Sequence, residues 1–136
     1  MIIAIDYDGT CVMHEYPKIG KDIGAVLVLK ELIENGHKLV LNTMRSGKEL
    51  AEAVEWFKEK DIPLFGVNEN PEQRTWTKSP KVYAHLYIDD AALCCPLLHG
   101  DFDDNGNGGY YDRPHVDWEA VRKILVDKKI IVSKYN

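Results

Sequence analysis

An apolar run that ends in two acids constrains this chain more than any other stretch. Ile2-Ile3-Ala4-Ile5 is continuous hydrocarbon and rich in β-branched residues, which reads as a strand buried on both faces in the middle of a parallel sheet. It breaks off into Asp6-Tyr7-Asp8-Gly9-Thr10. Two carboxylates two residues apart, followed by a glycine, put charge where a buried strand emerges and the backbone turns sharply. Charge in such a place is costly unless something pairs with it. Ligands of open α/β sheets bind in the crevice beyond the carboxyl ends of the strands, so the segment reads as a site.

The rest of the chain alternates strand and helix patterns around it. Cys11 to Gly20 reads as a loop or small hairpin over the site. From Lys21 the apolar positions Ala25, Val26, Leu29, Leu32 and Ile33 recur at helical spacing, and Gly36 stands where a terminating glycine belongs. Lys38 to Asn42 is a second apolar strand ending at Thr43, so the unit is βαβ with a right-handed crossover. Ser46-Gly47-Lys48-Glu49 matches a capping box that opens a second helix through Leu50, Val54 and Phe57. Ile62 to Val67 reads as a third strand, Asn68 to Pro80 as a polar loop, and Val82 to Ile88 as a fourth strand that again ends in acid, Asp89-Asp90. An acidic, glycine-rich loop of about 99–116 follows, then a C-terminal helix capped by Asp117 and a last strand at Ile130-Ile131-Val132, together spanning 117–133. The expected fold is a three-layer, doubly wound, mostly parallel α/β sheet of Rossmann-like kind.

Composition narrows the classes. With 136 residues, 45% hydrophobic and 29% charged, the chain suits one domain over 1–136 that buries roughly two thirds of its unfolded surface. Its net charge of -5 and scattered Lys and Arg argue against a nucleic-acid partner. No apolar stretch approaches membrane-spanning length and no leader precedes the first strand, so a cytoplasmic protein without a membrane partner is expected. Cys11, Cys94 and Cys95 form no metal or disulfide pattern and read as reduced thiols.

Parallel strands deliver their carboxyl ends to one edge, which brings Asp6, Asp8, Thr43, Asp89 and Asp90 together. Two like charges at ~4 Å repel by about 4 kcal/mol at an effective dielectric of 20, so these carboxylates need bound protons or a cation. Mg²⁺, a hard ion that takes one or two carboxylates, water and substrate phosphate, answers that need. An Asp at the end of the fourth strand also has a capping reading, and Thr43 a helix-capping one, but Ser46 already fills the latter role. Lys81 is the lysine expected near the phosphate, in competition with Lys78 and with an ordinary solvated charge. Arg45, Arg74 and Trp76 are the candidates to contact an anionic substrate, against a surface role for each.

DYDGT after a buried strand, LVLNT ending the second, a lysine eight residues before an acidic pair, and LYIDD ending the fourth resemble the four signature motifs of the haloacid dehalogenase-like hydrolase superfamily. The resemblance covers residues 2 to 90. It implies a phosphatase in which Asp6 is the nucleophile that forms an aspartyl-phosphate and Asp8 is general acid and then base. By the same resemblance Thr43 and Lys81 hold the transferring phosphoryl group, while Asp6, Asp8 through its carbonyl, and Asp89 and Asp90 hold Mg²⁺. Whether Asp89 or Asp90 touches the metal stays open. Members of this superfamily usually insert a cap after the first motif or between the second and third, and neither gap leaves room for one here. The resemblance is to capless members, which commonly use oligomer contacts or accept large substrates, and whose small representatives resemble sugar-phosphate or capsule-biosynthesis phosphatases. It implies a phosphorylated small-molecule substrate such as a sugar phosphate, and homo-oligomer contacts.

Two other classes share these materials. A non-catalytic regulatory module would keep the metal and phosphate site without turnover. A phospho-acceptor receiver domain would end its third strand in Asp, and Phe65-Gly66-Val67-Asn68 supplies none. The spacing Asp101-x-Asp103-x-Asn105-Gly106 with Asp112 also resembles a calcium loop, although no helical pair brackets it.

Overall fold

The computed structural model describes residues 1–99 and 113–132, so the calcium-like spacing from Asp101 to Asp112 lies outside the described residues. The elements run β1 (Ile2–Ile5), α1 (Ala25–Glu34), β2 (Lys38–Leu41), α2 (Gly47–Glu59), β3 (Gly66–Val67), a 3₁₀ turn (Gln73–Thr75), β4 (Leu86–Ile88), β5 (Leu97–Leu98), β6 (His115–Val116) and α3 (Trp118–Asp127). β1 to β4 form one parallel sheet in the order β3-β2-β1-β4. The order reverses at β1, which makes the β1/β4 boundary the switch point where the loops leaving adjacent strands diverge and open a crevice.

Side-chain alternation along the two central strands builds the layers. Ile3, Ile5, Leu39 and Leu41 point to one face and pack with the apolar stripes of α1, α2 and α3, including Leu29, Phe57 and Leu125. Ala4 and Val40 point to the other face, where Val82 covers them with Phe65 and Ala84 beside it. The result is a three-layer α/β fold with no separate cap domain among the described residues. The third layer is an irregular segment from residue 68 to 85 in place of a helix. Its backbone is satisfied by two buried amides: Asn70 Nδ2 donates to the Tyr83 carbonyl at 3.0 Å, and Gln73 Nε2 to those of Ser79 at 3.1 Å and Lys81 at 2.7 Å. Gln73 Oε1 accepts from the Tyr83 N–H at 2.7 Å. Buried backbone requires partners, and these side chains supply what a helix would have supplied internally.

Several boundaries differ from the sequence expectation. The third and fourth strands are shorter than 62–67 and 82–88: Phe65 still donates its N–H to the Leu39 carbonyl at 2.7 Å just outside the third strand, while Val82 and Ala84 pack on the second sheet face ahead of the fourth. Ser46 is the N-cap of α2, yet its side chain makes no capping hydrogen bond. Ile130-Ile131-Val132 is not a strand: Lys129 adopts φ 60°, and the Ile130 and Ile131 N–H groups donate to the Leu125 carbonyl at 2.9 and 3.2 Å, closing the end of α3. Both isoleucines are buried, which accounts for the apolar run. The antiparallel pair β5 and β6 is an element the sequence pattern did not suggest. No described helix is long and apolar enough to cross a membrane.

Candidate metal and phosphate site

The strand pleat continues past β1 and decides which side chains meet. Tyr7 turns into the core, edge-on to Trp56 at 5.6 Å between centroids, so Asp6 and Asp8 on either side of it both face the crevice. Gly9 then takes φ +78°, and a β-carbon there would come within 2.2 Å of the His14 ring and 2.8 Å of Asp90. The positive φ favours glycine, and any side chain there would also have to push the His14 ring and Asp90 carboxylate aside. The turn it makes returns the chain so that the Thr10 side chain, fully buried, lies under the acids.

Asp6, Asp89 and Asp90 converge at the β1/β4 switch point, each offering a carboxylate oxygen within 4.8 Å of the other two. Thr10 ties them together. Its Oγ1 is within donor reach of Asp6 Oδ2 at 2.9 Å and Asp90 Oδ1 at 3.1 Å, and it accepts from the Asp90 N–H at 3.1 Å. Burial is the main cause that pushes the Asp6 carboxyl up from 3.8 to about 8, with a hydrogen bond to Asp90 and the charge of Asp89 adding to it. Among the described residues no lysine or arginine is ion-paired with these three carboxyls. An all-oxygen donor set of this size suits a hard divalent cation, and the carboxylates could equally meet a cation that accompanies phosphate. Residues able to hold such an ion are Asp6, Asp89 and Asp90.

The cavity above the cluster has a volume of about 530 Å³ and is also lined by Asp8, His14, Tyr16, Thr43, Met44, Arg45 and Ala91. Thr43 sits where the end of β2 predicts. Its N–H donates to Asn68 Oδ1 at 2.8 Å and its Oγ1 accepts from the Arg45 N–H at 3.1 Å, which leaves the hydroxyl proton for a ligand. Asp8 is held in a fork by Arg45, Nε to Oδ2 at 2.7 Å and Nη2 to Oδ1 at 2.8 Å.

Three expected participants lie elsewhere. Lys81 places its Nζ 5.8 Å from the centroid of the Tyr87 ring and lines a separate hollow with Trp76 and Tyr83. Its carbonyl is anchored by Gln73 in the third layer, so the eight-residue spacing to Asp89 does not bring it to the carboxylates. Arg74 pairs with Glu69 beside another hollow that also holds Lys78. Trp76 is exposed and stacks edge-on with Tyr83 at 5.4 Å. Arg45, expected at the rim, is only 3% exposed.

Two residues of the site were not anticipated. Thr10 could have been suspected from its position just past the turn glycine. His14, whose Nε2 is 3.4 Å from Asp90 Oδ2 and 3.0 Å from the Pro114 carbonyl, carries no signal in the sequence, since its partners are 76 and 100 residues away.

No protein-family model and no curated protein matches the chain. A solved structure from Bacteroides thetaiotaomicron, described as a conserved protein coded by locus, is similar with a TM-score of 0.71 and 34% identity over 94% of this chain and 91% of that one. Identity at that level across nearly the whole of both chains goes beyond a shared fold, and this Rossmann-like protein with its aspartate cluster belongs to the same family as the Bacteroides thetaiotaomicron protein.

Proposed function

We propose that the protein is a Mg²⁺-dependent phosphomonoester hydrolase of the haloacid dehalogenase-like type, acting on a small phosphorylated substrate of the sugar-phosphate kind. The observation that carries the reading is the meeting of Asp6 with Asp89 and Asp90 at the switch point, with Asp8 facing the same cavity. In this reading an Asp6 oxygen attacks phosphorus as the bond to the leaving oxygen breaks, and Asp8 gives that oxygen its proton. Asp8 then takes a proton from water, whose oxygen displaces Asp6 from phosphorus and restores both carboxyls. Thr43 donates its hydroxyl proton to a phosphoryl oxygen. Bound Mg²⁺, held by Asp6, Asp89, Asp90 and the Asp8 carbonyl, would offset charge on the phosphoryl oxygens.

The test is hydrolysis of an aryl phosphate with Mg²⁺, lost to a chelator and restored by the metal. Asp6→Asn abolishes turnover. Asp8→Asn accumulates a covalent adduct of about 80 Da on Asp6, because an activated leaving group departs without an acid while water lacks its base. A label on Asp89, or a fully active Asp6→Asn protein, overturns the assignment.

The displacement of Lys81 from the cavity favours one competing reading, a regulatory module that binds metal and phosphate without turnover. That reading predicts Mg²⁺ and phosphate binding by calorimetry with no hydrolysis of any ester in a broad panel.

A further inference from the structure

Arg45 is a permanent cation on the wall of the carboxylate cavity and the obvious group to receive a substrate anion. Its hydrogen bonds argue otherwise. Besides the fork onto Asp8, Nη1 donates to the carbonyls of Pro17 at 3.2 Å and Glu49 at 3.3 Å, and Nη2 donates to that of Lys18 at 2.6 Å. A guanidinium has five N–H groups, and with the two that meet Asp8 all five are committed inside the protein. The group also lies against two aromatic rings, with Cζ 5.1 Å from the Tyr7 centroid and 5.2 Å from that of Tyr16. No donor remains for a substrate.

We propose that Arg45 is a positioning residue: it fixes both oxygens of the Asp8 carboxylate and latches the backbone of Pro17 and Lys18, directly after Tyr16, which lines the cavity. The inference rests on the reading of Asp8 as general acid and base. A carboxylate at the end of a turn is otherwise free to rotate about two side-chain bonds, and proton transfer requires it at one place relative to the leaving oxygen. A planar fork sets both oxygens at once, which a lysine ammonium, a point charge, cannot do. The same guanidinium ties three separate parts of the chain together: the turn after β1, the segment at 17–18 and the first turn of α2.

The test combines Arg45→Lys, Asp8→Asn and the double variant, with circular dichroism to establish folding and two substrates, an aryl phosphate and an alkyl phosphate of similar size. Arg45→Lys should lower kcat on the alkyl phosphate by about 10²-fold, the scale expected for a misplaced catalytic group, with KM changed less than about 2-fold. The loss on the aryl phosphate should be much smaller, since its leaving group needs little protonation. In the Asp8→Asn background the Arg45 change should add almost nothing, because its effect passes through Asp8. A raised KM at unchanged kcat would return Arg45 to the role of substrate clamp. Equal, additive losses on both substrates would reduce it to a structural residue. The latch has its own readout that needs no turnover: trypsin should cut after Lys18 several-fold faster in folded Arg45→Lys, and an unchanged rate removes the latch. A wild-type protein inactive on every ester would sink the hydrolase reading, and the Lys18 cleavage rate would then decide alone whether Arg45 holds the segment.

Discussion

Asp6 shows how one side chain depends on its neighbours. Burial and two adjacent carboxyls hold its proton on to about pH 8, against an ordinary value of 3.8. The folded-state value is raised, so between about pH 4 and 8 the metal-free folded chain carries a proton that the unfolded chain has lost. The stability linked to it is complete below about pH 4 and is lost as the pH rises through 8. Thermal melts of metal-free protein should therefore show Tm falling from about pH 5 to 9, with a flatter slope in Asp6→Asn. Mg²⁺ should raise Tm more at about pH 8.5 than at 6, since it must displace that proton. A Tm that climbs across the same range would contradict the buried, proton-sharing carboxyl. Asp6, Asp8, Thr43, Asp89 and Asp90 were legible in the sequence because each follows a strand end, a local property. Lys81 was not, because counting residues to Asp89 says nothing of the path the intervening chain takes.

The first helix was read well because a long periodic pattern left no alternative from Ala25 to Ile33, and the strand Ile2 to Ile5 because its apolar run breaks directly into acid and glycine. Short apolar runs were over-read as strands. Ile130 and Ile131 are apolar because they close the end of α3, and Val82 because it covers the second face of the sheet; composition is the same in either case. The two anticipated helix caps make the point measurable. Asp117 Oδ1 accepts from the Ala120 N–H at 3.1 Å, whereas the Ser46 side chain accepts nothing. Asp117→Ala should destabilise the protein by about 1 kcal/mol, and Ser46→Ala by no more than about 0.5 kcal/mol. Urea midpoints at constant m-value check both. Equal shifts would mean that Ser46 caps α2 in solution.

The whole molecule joins its last helix to its first turn. The indole N–H of Trp118, at the start of α3, donates to the Thr10 carbonyl at 2.6 Å, and the Val116 N–H donates to the Gly9 carbonyl at 2.9 Å. Residues more than 100 positions apart therefore share one hydrogen-bonded unit under the acids. Trp118 is buried, and its ring electrons sit one hydrogen bond from the residue that bridges Asp6 and Asp90. The fold thus carries an intrinsic optical probe of its aspartate cluster. Titration with Mg²⁺ should shift the emission of Trp118, and Trp118→Phe should silence the change while Trp56 and Trp76 still emit. The chain would then report occupancy of the aspartate cluster as light, with no substrate and no turnover needed.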